Sequence, residues 1–342
     1  MKEGSFLMKR MAVMGLVLCL AAAGTLADAI PMTRYTAGEM IDVGFNGNVQ
    51  FMAGCEFDDG STIMLVDTDF ADGYLLIDPD SFYYDSIGSG IPIEKGWDAQ
   101  VTAQDIEHCT VTLSSGKQTL RYHFSFVPVA YEYEQVWMLD RLENTDGDMR
   151  FTADFSFWRA DMTQTQNGKT ETAAVYYQFF REANNLNFDK LPKSIEEGKR
   201  LESKYPVAAV SPDDPTTRVN LREGPGTDYP RCGSLYSGAL LAVREMKDGW
   251  AKIFVGDTDA YISTEFLTFS AEIESVSDMR PTAMLRDGEW IEVSRAPYRG
   301  GGGTVTRTRG GQTVRIMGEY NNQWRIVSTD PGSYYVHVND LQ

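Results

Sequence analysis

Residues 218–267 read RVNLREGPGTDYPRCGSLYSGALLAVREMKDGWAKIFVGDTDAYISTEFL, and this stretch decides how the second half of the chain folds. Its apolar residues alternate in short runs, and turn residues separate the runs, with Gly224-Pro225-Gly226 breaking the first. The pattern predicts five short strands: a first from Val219, then 239–245, 250–255, 260–263 and a closing one from Leu267. A chain of about 50 residues in five strands buries a core best as a small barrel.

A weaker copy of this stretch follows it. The residues that return 74 positions later are Trp250, Tyr261 and Leu267, which recur as Trp324, Tyr335 and Leu341. Glycines 300–303 occupy the place of the long first loop. An internal repeat of this length predicts a second structural unit of the same type. We therefore predict a domain at 218–270 and a divergent second domain at 277–342, with the repeated pattern at 290–342.

The region before the repeat has strand periodicity throughout. Leu120, Tyr122 and Phe124 alternate with polar residues, and an Asp146-Gly147 turn separates them from a further alternating run. We predict an acidic, antiparallel β domain at 30–205, either a sandwich or a curled sheet. One short helix over 195–205 follows Ser194, its expected N-cap. The Pro-rich polar segment that ends at 217 predicts a linker over 206–217, so the fold class is mainly β.

Charge is distributed unevenly along the chain. Residues 30–217 contain 31 acidic and 14 basic residues, whereas 277–342 contain 7 and 8. An acidic surface repels nucleic acid and anionic lipid, so we expect neither as a partner. It also argues against simple attraction to anionic wall polymers. Solubility outside the cell is the plainest explanation of the charge.

The first 29 residues have the composition of a signal peptide. A basic start with Lys9 and Arg10 precedes an apolar run over 11–23, and Ala27-Asp28-Ala29 fits a cleavage site. The apolar run is shorter than the ~20 residues of a membrane span. We predict an exported protein, secreted or associated with the cell wall, with no membrane contact after cleavage. An uncleaved anchor is the alternative.

Three cysteines remain after residue 29, namely Cys55, Cys109 and Cys232. Export permits a disulfide, and Cys55 with Cys109 is the candidate pair because both lie in the first domain. Free buried thiols are the alternative, and the sequence leaves both open.

No catalytic set is visible in the sequence. Cysteine hydrolases need a cysteine near a separate histidine, but His108 and Cys109 are neighbours in a strand and point to opposite faces. His123 could reach Cys109 across a hairpin, yet no third group or oxyanion element accompanies them. The three histidines have no metal-ligand spacing. We predict no catalytic residue, no metal and no cofactor.

Residues 218–267 resemble the bacterial SH3 (SH3b) domain family. The residues that carry the resemblance are the run Val219-Asn220-Leu221-Arg222-Glu223-Gly224-Pro225-Gly226-Thr227, then Gly238, the run Gly249-Trp250-Ala251-Lys252-Ile253, and Ala260-Tyr261-Ile262-Ser263 with Phe266-Leu267. Ala260 departs from the glycine that is usual there. The resemblance implies an SH3-like barrel in an exported protein that often binds peptidoglycan or wall peptides. It covers about a seventh of the chain, and the domain at 30–205 resembles nothing that we recognise.

A small barrel with a glycine-rich loop and nearby aromatics can form a shallow groove for an extended peptide or glycan. The candidate binding residues are Tyr229, Tyr236 and Trp250, with Tyr298, Tyr320 and Trp324 in the second copy. We expect Tyr261 and Tyr335 to pack in the core, and for the two tryptophans core and groove stay open. The predicted function is non-catalytic binding or sensing of wall material by tandem SH3-like domains. The alternatives are a wall hydrolase at 30–205, or barrels that act only as spacers.

Overall fold

The computed structural model describes residues 29–42, 48–58, 60–68, 71–77, 91–93, 96–128, 135–181, 186–255, 258–288, 291–297, 305–308, 310–329 and 332–342. The protein is mainly β, as predicted. The strands of the described residues form three sheets, and their pairings are antiparallel.

The first domain contains two of these sheets. The smaller sheet has the order β1-β3-β4-β5, with β2 paired to β3; its strands are β1 (Ile30–Pro31), β2 (Met40–Asp42), β3 (Asn48–Glu56), β4 (Thr62–Thr68) and β5 (Ala71–Ile77). The larger sheet is a simple meander of seven strands in sequence order; these are β6 (Asp98–Asp105), β7 (His108–Ser115), β8 (Gln118–Pro128), β9 (Gln135–Asp146), β10 (Met149–Ser156), β11 (Arg159–Gln166) and β12 (Lys169–Tyr176).

The period-two pattern sets which face of the meander is buried. Leu120, Tyr122 and Phe124 of β8 are buried, and the polar residues between them are not. Gly147 has a φ of +59° in the predicted turn between β9 and β10, where a glycine avoids steric strain. The buried face packs against β3 and β4 in a shared core that includes Cys55 and Leu65. The domain is therefore a sandwich, one of the two predicted forms.

One α-helix, α1 (Ile195–Lys204), covers the rest of the buried face of the meander. The Ser194 side chain accepts a hydrogen bond from the N–H of Glu197, which confirms the predicted N-cap. Ile195 and Leu201 of the helix belong to the sandwich core. A 3₁₀ helix at Phe188–Lys190 precedes α1.

The third sheet contains both repeats. Its first part comprises β13 (Val207–Val210), β14 (Val219–Arg222), β15 (Arg231–Leu235), β16 (Leu240–Lys247), β17 (Trp250–Val255), β18 (Thr258–Ser263) and β19 (Leu267–Phe269). Its second part comprises β20 (Thr282–Met284), β21 (Ile291–Ser294), β22 (Val305–Thr308), β23 (Thr313–Tyr320), β24 (Trp324–Thr329) and β25 (Gly332–His337). Short 3₁₀ helices lie at Thr264–Phe266, Ser270–Ser275 and Val338–Asp340.

Strand β13 corrects the predicted linker over 206–217. All four residues of Val207–Val210 are buried, and the strand pairs with both β16 and β19. Ala208 and Val210 face the barrel core, whereas Val207 and Ala209 pack against Trp158 and other residues of the interface with the sandwich. A run that is apolar on both faces fits a strand buried on both sides better than a linker. The first barrel is therefore packed directly on the sandwich.

Strand β15 joins the two repeats and was not predicted, because the sequence analysis placed it within a long loop. Gly233, Ser234 and Leu235 of β15 pair with Tyr320, Glu319 and Gly318 of β23. The two repeats are therefore parts of one continuous sheet rather than separate barrels. We call this junction, formed by β15, β23 and the side chains that pack beside them, the seam.

Candidate functional site

The first repeat contains an open groove of about 180 Å³. Its lining combines aromatic and apolar surface with charges of both signs; the lining residues are Pro225, Glu245, Lys247, Asp248, Trp250, Lys252 and Tyr261. We call this feature the groove.

Strand alternation places the aromatic side chains in the groove. Ala251 and Ile253 of β17 are buried in the barrel core, so Trp250 and Lys252 face outward. Lys252 pairs directly with Tyr261 of β18, which puts both side chains on the same outer face. Tyr261 therefore lies in the groove, contrary to the expectation that it packs in the core.

The glycine-rich loop forms one wall of the groove. Tyr229 is 44% exposed, and its ring lies over the loop so closely that a Cβ on Gly224 would overlap the ring. The Arg222 guanidinium donates a hydrogen bond of 2.7 Å to the Tyr229 carbonyl oxygen, which holds the loop in place. Only a glycine at position 224 allows the ring to approach the backbone this closely. Pro225 of the same loop lines the groove.

The charges of the groove are partly neutralised within the barrel. The Lys252 ammonium lies 2.7 Å from the Asp259 carboxylate, and the hydrogen bond that it donates to this carboxylate raises the pKa of Lys252. Glu245, Lys247 and Asp248 add charges of both signs at the rim. The groove can therefore bind a ligand that carries both an amine and a carboxylate, because charges of both signs line it.

The matching positions of the second repeat are covered. Trp324 is 4% exposed and Tyr335 is fully buried, and both belong to the core cluster of the first barrel. The Tyr335 hydroxyl donates a hydrogen bond of 3.1 Å to the carbonyl oxygen of Val255 in the first repeat. Ile326, which corresponds to Lys252, is also fully buried there. Tyr335 packs in a core as expected, and the candidate binding role of Trp324 is wrong because the first repeat excludes solvent from it.

Two other candidate binding residues also lie at the seam rather than in the groove. Tyr236 packs against the core of the second repeat, and its N–H donates a 2.9 Å hydrogen bond to the carbonyl oxygen of Met317. The Tyr320 ring meets the Tyr335 ring edge to face at 5.4 Å. Tyr298 lies outside the described residues. Of the six candidates, the structure thus places Trp250 in the groove and Tyr229 beside it.

Sequence reasoning missed Tyr261, Lys252 and Pro225 as groove residues. The signal for the first two was present, since Trp250 and Lys252 alternate with buried Ala251 and Ile253. The position of Tyr261 depends on the register between β17 and β18, which the letters alone do not specify.

The candidate disulfide is absent from the structure, in which Cys55 and Cys109 are free buried thiols. They lie on different sheets and point into the same sandwich core. Burial raises the pKa of Cys55 to about 11, and it raises that of Cys109 as well, so both thiols are neutral at physiological pH. They have the properties of apolar packing residues, which was the alternative.

The histidine near Cys109 does not activate it. Register pairs His123 with Thr110 and Cys109 with Phe124, so the two side chains point to opposite faces of the meander. The His123 Nδ1 atom lies 2.9 Å from the Thr110 hydroxyl, and burial lowers the pKa of the imidazole. A Cys109–His123 catalytic pair is therefore excluded by geometry.

Neither a metal centre nor a membrane-spanning helix is found among the described residues. No group of three or more His, Cys, Asp or Glu side chains converges there as a metal site would require. No helix in the same part of the chain is both long enough and apolar enough to cross a membrane.

Comparisons with known proteins support the resemblance of the first repeat. Residues 217–268 match the family model of the bacterial SH3 domain, and the first repeat is such a domain. No curated protein matches the chain. A similar solved structure is that of NlpC2 from Trichomonas vaginalis, with 17% identity over 40% of this chain and a TM-score of 0.20. The match spans about half of that structure, 48%, and a likeness at this level carries no argument.

Proposed function

We propose that the protein is an exported, non-catalytic binding protein whose first SH3 domain holds a wall peptide or peptidoglycan in the groove. The observation that carries this proposal is the lining of the groove, where Trp250 and Tyr261 lie beside charges of both signs. Small aromatic-lined grooves of this kind suit extended peptides. Wall peptides carry amines and carboxylates, so they match the groove better than a neutral chain does.

The same lining supports binding rather than catalysis. None of the described residues that line the groove is a histidine, cysteine or serine. Covalent hydrolysis of a peptide bond needs an activated thiol or hydroxyl near the scissile bond. The two carboxylates of the lining, Glu245 and Asp248, are exposed at the rim, where they offer charge to a ligand. Lys247 and Lys252 offer charge to a ligand, and the pKa of Lys252 is raised, which keeps it protonated and unsuited to act as a base.

The buried face of the second repeat supports different roles for the two repeats. The positions that form the groove in the first repeat pack against a neighbouring domain in the second. We therefore assign wall binding to the first repeat, and to the second repeat the support of the first through the seam. The sequence analysis predicted wall binding by both domains, and we now propose it for the first repeat alone.

Co-sedimentation with purified peptidoglycan tests the proposal. The full chain should pellet with the polymer, and Trp250→Ala and Tyr261→Ala should each lower the bound fraction several-fold because they remove the stacking surface. Met246→Ala is the matched control, since Met246 is an exposed apolar residue of the same barrel outside the groove. If the chain stays in solution, or if the groove variants bind as the control does, wall binding by the groove is wrong.

Incubation of the full chain with the same polymer tests the non-catalytic part. We expect no release of soluble muropeptides over a time in which a known hydrolase clears the sample. Release by the chain, and its persistence in Trp250→Ala, would place an enzyme in residues 30–205 and support the hydrolase alternative.

A further inference from the structure

A second cavity lies on the seam, away from the groove. It has a volume of about 220 Å³, and both repeats line it. Arg231, Cys232 and Ser234 come from the first repeat, whereas Glu319, Asn321 and Asn322 come from the second. The cavity exists only because β15 pairs with β23, so neither repeat contains it alone.

Arg231 is positioned with its binding atoms free. Its Nε atom donates a 3.2 Å hydrogen bond to the carbonyl oxygen of Gly233, which fixes the guanidinium at the cavity. No described residue accepts a hydrogen bond from its two terminal nitrogens. A guanidinium held in this way presents two parallel donors, which is the geometry that a carboxylate accepts.

The turn between β23 and β24 adds two amides. Asn321 and Asn322 have φ values of +43° and +63°, a conformation that asparagine tolerates better than most residues. The N–H of Asn321 donates a 2.8 Å hydrogen bond to the Cys232 carbonyl oxygen, which ties the turn to the first repeat. Both side chains are exposed at the cavity, and no described residue forms a hydrogen bond to either amide that would compete with a ligand.

Ser234 forms part of the cavity wall but not of its hydrogen-bonding groups. The residue is fully buried, and its hydroxyl has no hydrogen-bond partner among the described residues. Because the hydroxyl oxygen is closed off from solvent, a ligand in the open cavity cannot reach it either.

Arg231 and Glu319 place charges of opposite sign at the cavity. The Glu319 carboxylate forms an ion pair with Arg218, which balances its single negative charge, and Glu319 also lines the cavity. Burial raises the pKa of Cys232 to about 11, so the thiol adds no charge. A zwitterion matches this arrangement, because its ammonium can lie near Glu319 and its carboxylate near Arg231.

We propose that the seam cavity is a second binding site, specific for a small zwitterion of the amino acid or dipeptide class. Arg231 holds the carboxylate, Glu319 faces the ammonium, and Asn321 and Asn322 supply further hydrogen bonds. The volume of the cavity suits a ligand of this size. This site goes beyond the wall-binding groove and does not depend on it.

Calorimetric titration of the full chain with alanyl-alanine tests the proposal. We expect saturable binding of the dipeptide in its L or D form, and at least about tenfold weaker binding of the C-terminal amide, which lacks the carboxylate. Arg231→Gln should weaken binding by a similar factor. Asn322→Gly, which keeps the positive φ but removes the amide, should weaken it less. Trp250→Ala should leave it unchanged, which separates this site from the groove.

Two further variants separate recognition from folding. Ser234→Ala should leave the urea midpoint of the free protein unchanged or higher, because the hydroxyl has no partner to lose, and it should leave dipeptide binding unchanged, because the ligand does not reach this hydroxyl. Arg200→Gln, at an exposed arginine of α1, is the charge-matched control and should bind as the parent does. The proposal is overturned if neither dipeptide form binds, if the amide binds equally well, or if Arg231→Gln binds like Arg200→Gln.

Discussion

The two repeats differ in the environment of one equivalent face. In the first repeat, the outer face of β17 and β18 is open to solvent, whereas in the second repeat the outer face of β24 and β25 is buried. In the first repeat, Lys252 and Tyr261 pair across the strands and line the groove. In the second repeat, Ile326 and Tyr335 pair in the same way and are fully buried. The architecture is thus repeated, whereas the environment of the repeated face is not.

The difference shows that an aromatic residue at a repeated position has no fixed role. Tyr335 is buried because the first repeat lies over it, and its hydroxyl is hydrogen-bonded to the Val255 carbonyl oxygen. Nothing in the described structure covers Tyr261 in this way. A polar residue at Lys252 and an apolar one at Ile326 agree with these environments, since an unpaired charge is costly in a buried interface.

Exchange of the residues at this position should have the largest effect. Ile326→Lys would bury an ammonium in the seam and should lower the free energy of unfolding by roughly 5 kcal/mol or more, because both apolar burial and charge solvation are lost. The reverse change, Lys252→Ile, should leave the urea midpoint nearly unchanged, since that face is open. Urea unfolding of the two variants measures the difference. Equal effects would mean that the two faces share one environment.

Truncation of the tryptophans should have the next largest effect. Trp324→Ala removes a buried side chain and should cost about 3–5 kcal/mol, whereas Trp250→Ala should cost about 1 kcal/mol. Urea midpoints give the stability difference, and peptidoglycan sedimentation gives binding. We expect stability to change mainly in the first variant and binding mainly in the second. A stable Trp324→Ala variant would contradict the closed seam.

Close backbone contact at the seam predicts a smaller effect. A Cβ on Gly318 would overlap the carbonyl oxygen of Ser234, and backbone cannot move aside as a side chain can. Gly318→Ala should therefore cost about 1–3 kcal/mol by forcing β15 and β23 apart. Gly288→Ala is the control, because nothing lies within 4 Å of its Cβ position. Thermal unfolding of both variants checks this, and matching melting temperatures would argue against the pairing.

Loss of one hydroxyl should have the smallest effect and depend on pH. Tyr335→Phe removes the hydrogen bond to Val255 and should cost about 1 kcal/mol at pH 8. Burial raises the pKa of Tyr335 above its ordinary value near 10. Its neutral form therefore stabilises the fold fully below pH 10, and this contribution is lost as the pH rises further. The urea midpoints of parent and variant should converge above about pH 10, and a constant difference would contradict burial of the phenol.

The secondary structure was largely predictable because it depends on local rules. Alternation identified the strands of the meander, and Ser194 marked the start of α1. The linker prediction failed at Val207–Val210, because a four-residue apolar run carries no period and Pro206 suggested a break. Strand β15 was missed because Gly233, considered alone, is typical of a loop. In the structure a glycine is needed there, since a Cβ would overlap the carbonyl oxygen of Glu319 in β23.

The candidate site was predictable only in part. Trp250 and the glycine-rich loop were identified correctly as groove elements, since they belong to the motif of the first repeat. Tyr236, Tyr320 and Trp324 were assigned by analogy between the repeats, and the structure places them at the seam. The analogy between the repeats fails for these residues because their burial depends on which residues pack against them, and the repeated sequence pattern does not specify these contacts.

The sequence by itself determined the β class, the position of the helix, and the existence and type of the two repeats. These follow from periodicity, capping and turn chemistry, all of which act between residues close in the chain. Only the tertiary structure decided that β15 pairs with β23, that Trp324 and Tyr335 are covered while Trp250 and Tyr261 are open, and that a polar cavity lies on the seam. These features depend on contacts between residues about 80 or more positions apart, such as Val255 with Tyr335, and local pattern does not encode such contacts.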